Sequence, residues 1–199
     1  MNYYCIACKV SKELIVKKDL EHYLNKLFDD EYHFQVLFAT KQYKVKNGKS
    51  RVEVRKALTP GYIFIKIDTE LDKYAREIRK INDCYGLVKS KKLVEDKTDT
   101  ISYKLCREDL KYATWIFSNN GEIVPSKITL NIGASVCVIS GPLATFNGKI
   151  IKVDKRNNKV CLFSENSGTL QKVWVPVEIV KEEDLDSSEH ILKEFSKVY

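Results

Sequence analysis

No stretch of the 199-residue chain approaches the roughly 18 consecutive apolar residues that a membrane-spanning helix requires. Its N-terminus, MNYYCIACKV, has neither the basic start nor the small-residue cleavage site of a secretory signal. A cytoplasmic protein with no membrane partner is expected, and its six cysteines (5, 8, 84, 106, 137 and 161) are expected to be reduced thiols. Cys5 and Cys8 form a CxxC, but no second CxxC and no HxxxH accompanies it, and the three histidines (22, 33 and 190) are scattered. The surrounding YYCIACKV reads as a strand, in which residues three apart face opposite sides, whereas a redox CxxC opens a helix. Both thiols are therefore read as structural, with no metal site and no cofactor. Missing too are GxxxxGK[ST], GxGxxG, a plausible Ser/His/Asp or Cys/His pairing, and a motif with paired carboxylates. With no catalytic residue to nominate, function is read as surface recognition rather than as enzyme chemistry.

What is present is enough apolar material for packed cores, 44% hydrophobic with 11% aromatic, in a length that holds one large or two small domains. The formal charge of +7, from 34 basic and 27 acidic residues, suits a polyanionic partner and equally suits a solvated surface. Tyr3–Val10 alternates as a strand. Ser11 offers a helix cap, after which Leu20, Tyr23, Leu24, Leu27 and Phe28 recur with helical spacing. Strands over Phe34–Thr40 and Arg51–Arg55 flank a loop with Asn47-Gly48 as its turn. Between Lys41 and Lys56, seven bases (41, 44, 46, 49, 51, 55, 56) face one acid, Glu53, which fits a solvated hairpin tip as well as proximity to nucleic acid. Thr59-Pro60-Gly61 leads into the apolar strand Tyr62–Ile67. Leu71, Tyr74, Ala75, Ile78 and Ile81 space a second helix, and a third is expected from Thr98 to Phe117 with Leu110, Ala113, Ile116 and Phe117 on its stripe. The order β-α-β-β-α-β-α predicts an α+β domain with helices flanking an antiparallel sheet.

The most informative stretch is Val136–Val175, VCVISGPLATFNGKIIKVDKRNNKVCLFSENSGTLQKVWV. A strand ends at Gly141-Pro142; Gly148 sits where a sharp kink calls for a residue free to take positive φ. Ile150, Ile151 and Val153 form the next strand, Lys155–Asn158 a turn, and Val160–Phe163 and Leu170–Val175 the remaining strands. Four or five short strands in about forty residues bury themselves by curling into a small barrel. The wording SGPLATFNGKIIKVDKRNNKV resembles the KOW motif of NusG-type transcription factors, which also occurs in ribosomal proteins. The first half resembles the N-terminal domain of the same family in its Tyr3-Tyr4 strand, in Ser11-Lys12-Glu13, in Thr59-Pro60-Gly61-Tyr62-Ile63-Phe64 and in Gly86-Leu87-Val88. The two motifs stand in the family's order over about residues 3–181. The fold expected is thus an α+β N-terminal domain (1–118), a linker (119–131) and a small all-β KOW barrel (132–181), followed by an acidic segment and C-terminal helix (182–199) that lie outside the resemblance. In that helix Leu192, Phe195 and Tyr199 would share a face, with Ser187 or Ser188 as its cap.

The resemblance implies a monomeric, non-enzymatic factor that docks on the clamp helices of RNA polymerase through an apolar hollow. The position matching the docking tyrosine is Tyr62. Thr59 stands where the family has an aromatic, and Leu58, Phe64 and Phe117 could supply apolar surface. Arg76, Arg79 and Lys80 on the second helix match a region that contacts the displaced non-template DNA strand in specialised members; Glu77 and Asp83 between them also fit an ordinary solvated face. In the barrel, Ser167 takes the place of an aromatic that housekeeping members present to the Rho terminator or the ribosome. A hydroxyl cannot fill an apolar pocket, which counts against Rho coupling. Lys149, Lys152, Lys155, Arg156, Lys159 and Lys172 instead suggest RNA binding; with Lys181 they are seven bases against three acids (154, 165, 178) over 131–181. Alternation puts Lys152 on the outer face, opposite Ile151, Val153 and Val160. The Ile-Val-Pro-Ser of the linker, the SGPL turn and Val177-Glu178-Ile179-Val180 resemble LoaP-type antiterminators, which act on chosen operons and read a nascent RNA hairpin. Two classes stay open: a polymerase-bound antiterminator, specialised or housekeeping, and a KOW protein serving ribosome or RNA assembly without polymerase.

Overall fold

The computed structural model describes residues 1–29, 31–47, 50–89, 102–131, 135–163, 172–185 and 190–195. In chain order the elements are β1 (Asn2–Cys8), α1 (Glu13–Phe28), β2 (Phe34–Leu37), β3 (Thr40–Asn47), β4 (Ser50–Ala57), β5 (Tyr62–Ile67), the single turn α2 (Ala75–Ile78), β6 (Cys84–Leu87) and α3 (Arg107–Ser118). After them come β7 (Glu122–Ile123), β8 (Ser126–Leu130), β9 (Val136–Ser140), β10 (Lys149–Asp154), β11 (Lys159–Phe163), β12 (Lys172–Ile179) and β13 (Lys193–Phe195). Two compact units result: residues 1–39 with 59–121, and residues 40–58 with 122–199. The basic β3–β4 hairpin, expected within the first domain, groups with the second.

In the first unit an antiparallel sheet runs β2-β5-β1-β6. Alternation along β1 and β5 sends Tyr4, Ile6, Ile63, Ile65 and Ile67 to one face, where Val16, Leu20, Leu24 and Phe28 of α1 complete the core. The opposite face meets α3: the Phe64 ring lies edge-on to Tyr112 at 5.9 Å and Tyr3 to Phe117 at 5.5 Å. Cys5 and Cys8 fall on opposite faces of β1 as the alternation requires, both buried, and burial pushes the Cys8 thiol up to about 12. Neither thiol is poised as a nucleophile.

Several expectations shift on contact with the structure. Ser11 caps nothing: it takes a left-handed φ of 69° and α1 begins at Glu13, whose buried carboxylate accepts the Gly61 N–H at 2.8 Å. The second helix shortens to a 3₁₀ turn, Asp72–Tyr74, followed by α2, because the chain must turn at once into β6. The third starts at Arg107 rather than Thr98; residues 98–101 lie outside the described residues. Its buried stripe is Asp109, Tyr112, Ala113, Ile116 and Phe117, leaving Leu110 exposed.

The second unit holds a six-stranded curled sheet, β10-β11-β12-β8-β9-β13, and a three-stranded sheet, β4-β3-β7. Ser126–Leu130, expected in the linker, is a central strand, parallel to β12 and antiparallel to β9. Among the tail's expected helical stripe, Phe195 instead lies in β13, which pairs with β9, while Leu192 is exposed. A strand satisfies the edge amides of β9, and a helix so short would be marginal. Ser187, Ser188 and Tyr199 lie outside the described residues.

The two glycines of the KOW-like stretch work differently from one another. Gly141 has φ +93°, and a Cβ there would stand 2.8 Å from the Ser126 Cα. Gly148, expected to need positive φ, does not take it; a Cβ would instead meet the Phe146 ring at 2.3 Å. Its role is to let Phe146 lie over the backbone. Gly141→Ala is therefore expected to destabilise by about 2–4 kcal/mol, backbone strain and overlap combined, in urea unfolding. Gly148→Ala is expected to destabilise comparably but to be partly rescued by Phe146→Leu, whereas no side-chain change should rescue Gly141→Ala.

Candidate nucleic-acid interface

Cross-strand register places Lys149, Lys152, Lys159 and Lys172 of the second unit on one face. Lys149 pairs with Phe163 and Phe163 with Lys172; Lys152 pairs with Cys161 and Cys161 with Trp174; Asp154 pairs with Lys159 and Lys159 with Pro176. Directly opposed residues share a face. The reverse face carries Ile150, Leu162 and Val173, then Val160 and Val175, all buried. Lys152 is thus on the outer face as expected, but the interior residue beside it is Ile150, not Ile151. A bulge between Ile150 and Lys152 lifts Ile151 out of the ladder.

Lys149, Lys152, Lys155, Arg156 and Lys172 are exposed. Lys155 and Arg156 occupy the β10–β11 turn, which is fixed by the Asp154 carboxylate accepting the Asn157 N–H at 3.1 Å and its side-chain amide at 2.9 Å. Lys159 is half-buried: its Nζ lies 3.4 Å from Asp154 and 4.9 Å from the centroid of Trp174. Sequence reasoning missed Trp174. Its signal was there, because Val173, Val175 and Val177 fix the inward phase and leave the indole on the outward one.

The hairpin adds to this face. Lys41 Nζ donates to the Trp174 carbonyl at 2.9 Å, and burial, then repulsion from Lys159 and Lys56, lowers its pKa. Lys56 Nζ lies 5.5 Å from the centroid of Tyr43, while Arg55 pairs with Glu122 at 2.9 Å. No sequence spacing connects Lys41 to Trp174, 133 residues apart.

The residues assigned to polymerase docking separate: Leu58 falls in the second unit and the other four in the first. Tyr62 is half-exposed at the head of β5, its hydroxyl pKa raised by burial. Leu58, Thr59, Phe64 and Phe117 are buried and present no surface; Phe64 and Phe117 belong to the sheet–α3 packing. Strand alternation put Phe64 on the same side as Tyr62, but α3 covers that side further along. Arg76, Arg79 and Lys80 are exposed around α2, with the stem of Arg79 lying over Gly86. Ser167 lies outside the described residues. Among the described residues no cluster of His, Cys, Asp and Glu could hold a metal ion, and no helix is long and apolar enough to cross a membrane.

Residues 1–104 match the family model described as transcription termination factor nusG. The transcription termination/antitermination protein NusG of Treponema pallidum is 32% identical over 120 residues, 59% of this chain and 62% of that protein. Its counterpart in Thermus thermophilus is 25% identical over 167 residues, 80% of this chain and 86% of that protein. The solved Thermotoga maritima NusG superposes on 88% of this chain with a TM-score of 0.46 and 16% identity, too loosely to add to the assignment. The chain belongs to the NusG family of transcription termination and antitermination factors.

The burial pattern separates two neighbouring aromatics. Phe64→Ala is expected to cost about 3–5 kcal/mol of stability through the cavity it leaves. Tyr62→Ala is expected to cost about 1 kcal/mol or less, as for a surface position. Denaturant unfolding of the two variants checks this; equal losses would mean that Tyr62 is a core residue.

Proposed function

We propose that the chain is a non-enzymatic, monomeric antitermination and elongation factor that binds RNA polymerase through its first unit and RNA through its second. Family membership supports the first half. The observation that carries the second is the group of exposed lysines that the register puts on one face, Lys149, Lys152 and Lys172, continued by Lys155 and Arg156 at the turn. A curved cationic surface of this kind neutralises a phosphate backbone. Tyr62 is the docking residue for the polymerase clamp helices; Leu58, Thr59, Phe64 and Phe117, nominated with it, are buried and do not touch the partner. Arg76, Arg79 and Lys80 contact the non-template DNA strand. The cytoplasm is the setting. The specialised, operon-selective role of LoaP-type members fits the basic outer face. The shared name of the curated relatives, termination/antitermination protein, favours a second reading, the general role with coupling to Rho and the ribosome.

The test uses the full chain. Core RNA polymerase is expected to be captured by the wild type and about tenfold less well by Tyr62→Ala at unchanged fold. Failure of the wild type to bind polymerase removes the first half of the proposal and leaves a polymerase-independent KOW protein. RNA affinity should fall with salt at a log–log slope of about −3 to −4 if roughly four phosphates are neutralised. The double variant Lys152→Glu, Arg156→Glu should reduce both affinity and slope. Tight binding to Rho with weak, salt-insensitive RNA binding would favour the general role instead.

A further inference from the structure

The outer face of β10, β11 and β12 carries an aromatic on β12 as well as charge on all three strands. Trp174 lies in the same cross-strand row as Lys152, with the buried Cys161 between them, and the ammonium of Lys159 lies over its indole at 4.9 Å. Lys41 reaches the same residue's carbonyl from the hairpin, close enough to Lys159 and Lys56 that repulsion helps lower its pKa. Two of the neighbouring acids are already engaged, Asp154 with Lys159 and Glu122 with Arg55. Like charges crowded around a half-exposed indole raise the energy of the free protein, and a polyanion that also offers a flat π-surface relieves both features together. Phe163, half-buried between Lys149 and Lys172, repeats the arrangement one row along.

We propose that Trp174 is a stacking platform for an unpaired RNA base, with Lys41, Lys152 and Lys159 holding the flanking phosphates. This rests on the RNA-binding reading above and sharpens it: the face takes single-stranded or looped RNA in preference to duplex. In an A-form duplex the bases are stacked on one another and their faces are closed to a side chain, whereas an unpaired base offers its face to an aromatic ring. Lys159 leaves the ring for a phosphate when the base arrives, exchanging a cation–π contact for an ion pair. The hairpin is then part of the RNA site, which explains why a β3 lysine is anchored on β12.

The experiment titrates the full chain with an unpaired uridine dodecamer and follows tryptophan fluorescence. The chain has two tryptophans, and Trp115 is 1% exposed, so quenching by the oligonucleotide reports Trp174. Wild type is expected to be quenched. Trp174→Phe is expected to lose the quench while keeping affinity within about threefold, since a ring remains, and Trp174→Ala to weaken binding about tenfold or more. Lys152→Glu should weaken binding to unpaired and duplex RNA alike. Salt-sensitive binding with no quench, or a duplex of the same length bound more tightly than the dodecamer, would overturn the stacking site and leave the broader RNA reading standing. Equal affinity for the deoxyuridine dodecamer would overturn the assignment to RNA. Absence of any RNA binding at low salt would overturn both.

Discussion

The carboxylate of Glu13 is the pin of the first unit. It is 5% exposed, and burying an ionised carboxylate costs several kcal/mol unless hydrogen bonds replace its water. The Gly61 N–H, 48 residues away, supplies one such bond at 2.8 Å, and the first turn of α1, rich in free N–H groups, is a favourable place for negative charge. Gly61 can be held there because it takes φ +79°, and its own carbonyl accepts the Cys8 N–H at 2.8 Å. Helix, turn and β1 thus meet at one glycine. The register that follows, Ala7 opposite Tyr62 through Asn2 opposite Ile67, decides which β5 side chains enter the core and leaves Tyr62 at the rim.

A comparable seam closes the second unit. Ser126 is buried, and its hydroxyl accepts the Leu143 N–H at 2.9 Å, tying β8 to the turn that leaves β9. The same turn passes so close to Ser126 that only glycine fits at 141. Beyond the seam, Phe146 packs 6.4 Å from Phe195 of β13, and Lys193 donates to the Phe146 carbonyl and to Asn147 Oδ1. These contacts fix the apolar side of the curled sheet, and the pleat then commits Lys149, Lys152, Lys159 and Lys172, with Trp174, to the opposite side. Charge and packing are two consequences of one register.

The division of labour between the units is therefore physical before it is functional. In the first, most aromatic and branched side chains are consumed by two helix–sheet interfaces, which is why Phe64 and Phe117, both nominated for docking, are buried. In the second, the sheet buries Ile150, Val160, Leu162, Val173 and Val175 on one face, and the opposite phase, though it also holds the buried Cys161 and Pro176, leaves Lys149, Lys152 and Lys172 exposed and Trp174 half-exposed. The hairpin joins the latter through Lys41, bringing its basic strands to the face that is already cationic.

The sequence by itself determined the periodicities. The α1 stripe, the β1 and β5 alternation, the Gly-Pro and Lys155–Asn158 turns and the outward phase of Lys152 depend on neighbours a few residues apart, and the family was legible in the Pro-Gly-Tyr and KOW wording. It could not determine what depends on distant partners. Ser126–Leu130 reads as a linker until β9 and β12 are beside it, because a five-residue strand has little signal of its own. Gly148 reads as a positive-φ position until the Phe146 ring is seen against it, and Phe195 reads as helical until the β9 edge offers hydrogen bonds. The meeting of Lys41 with Trp174 is decided by tertiary structure alone, since nothing local links residues so far apart.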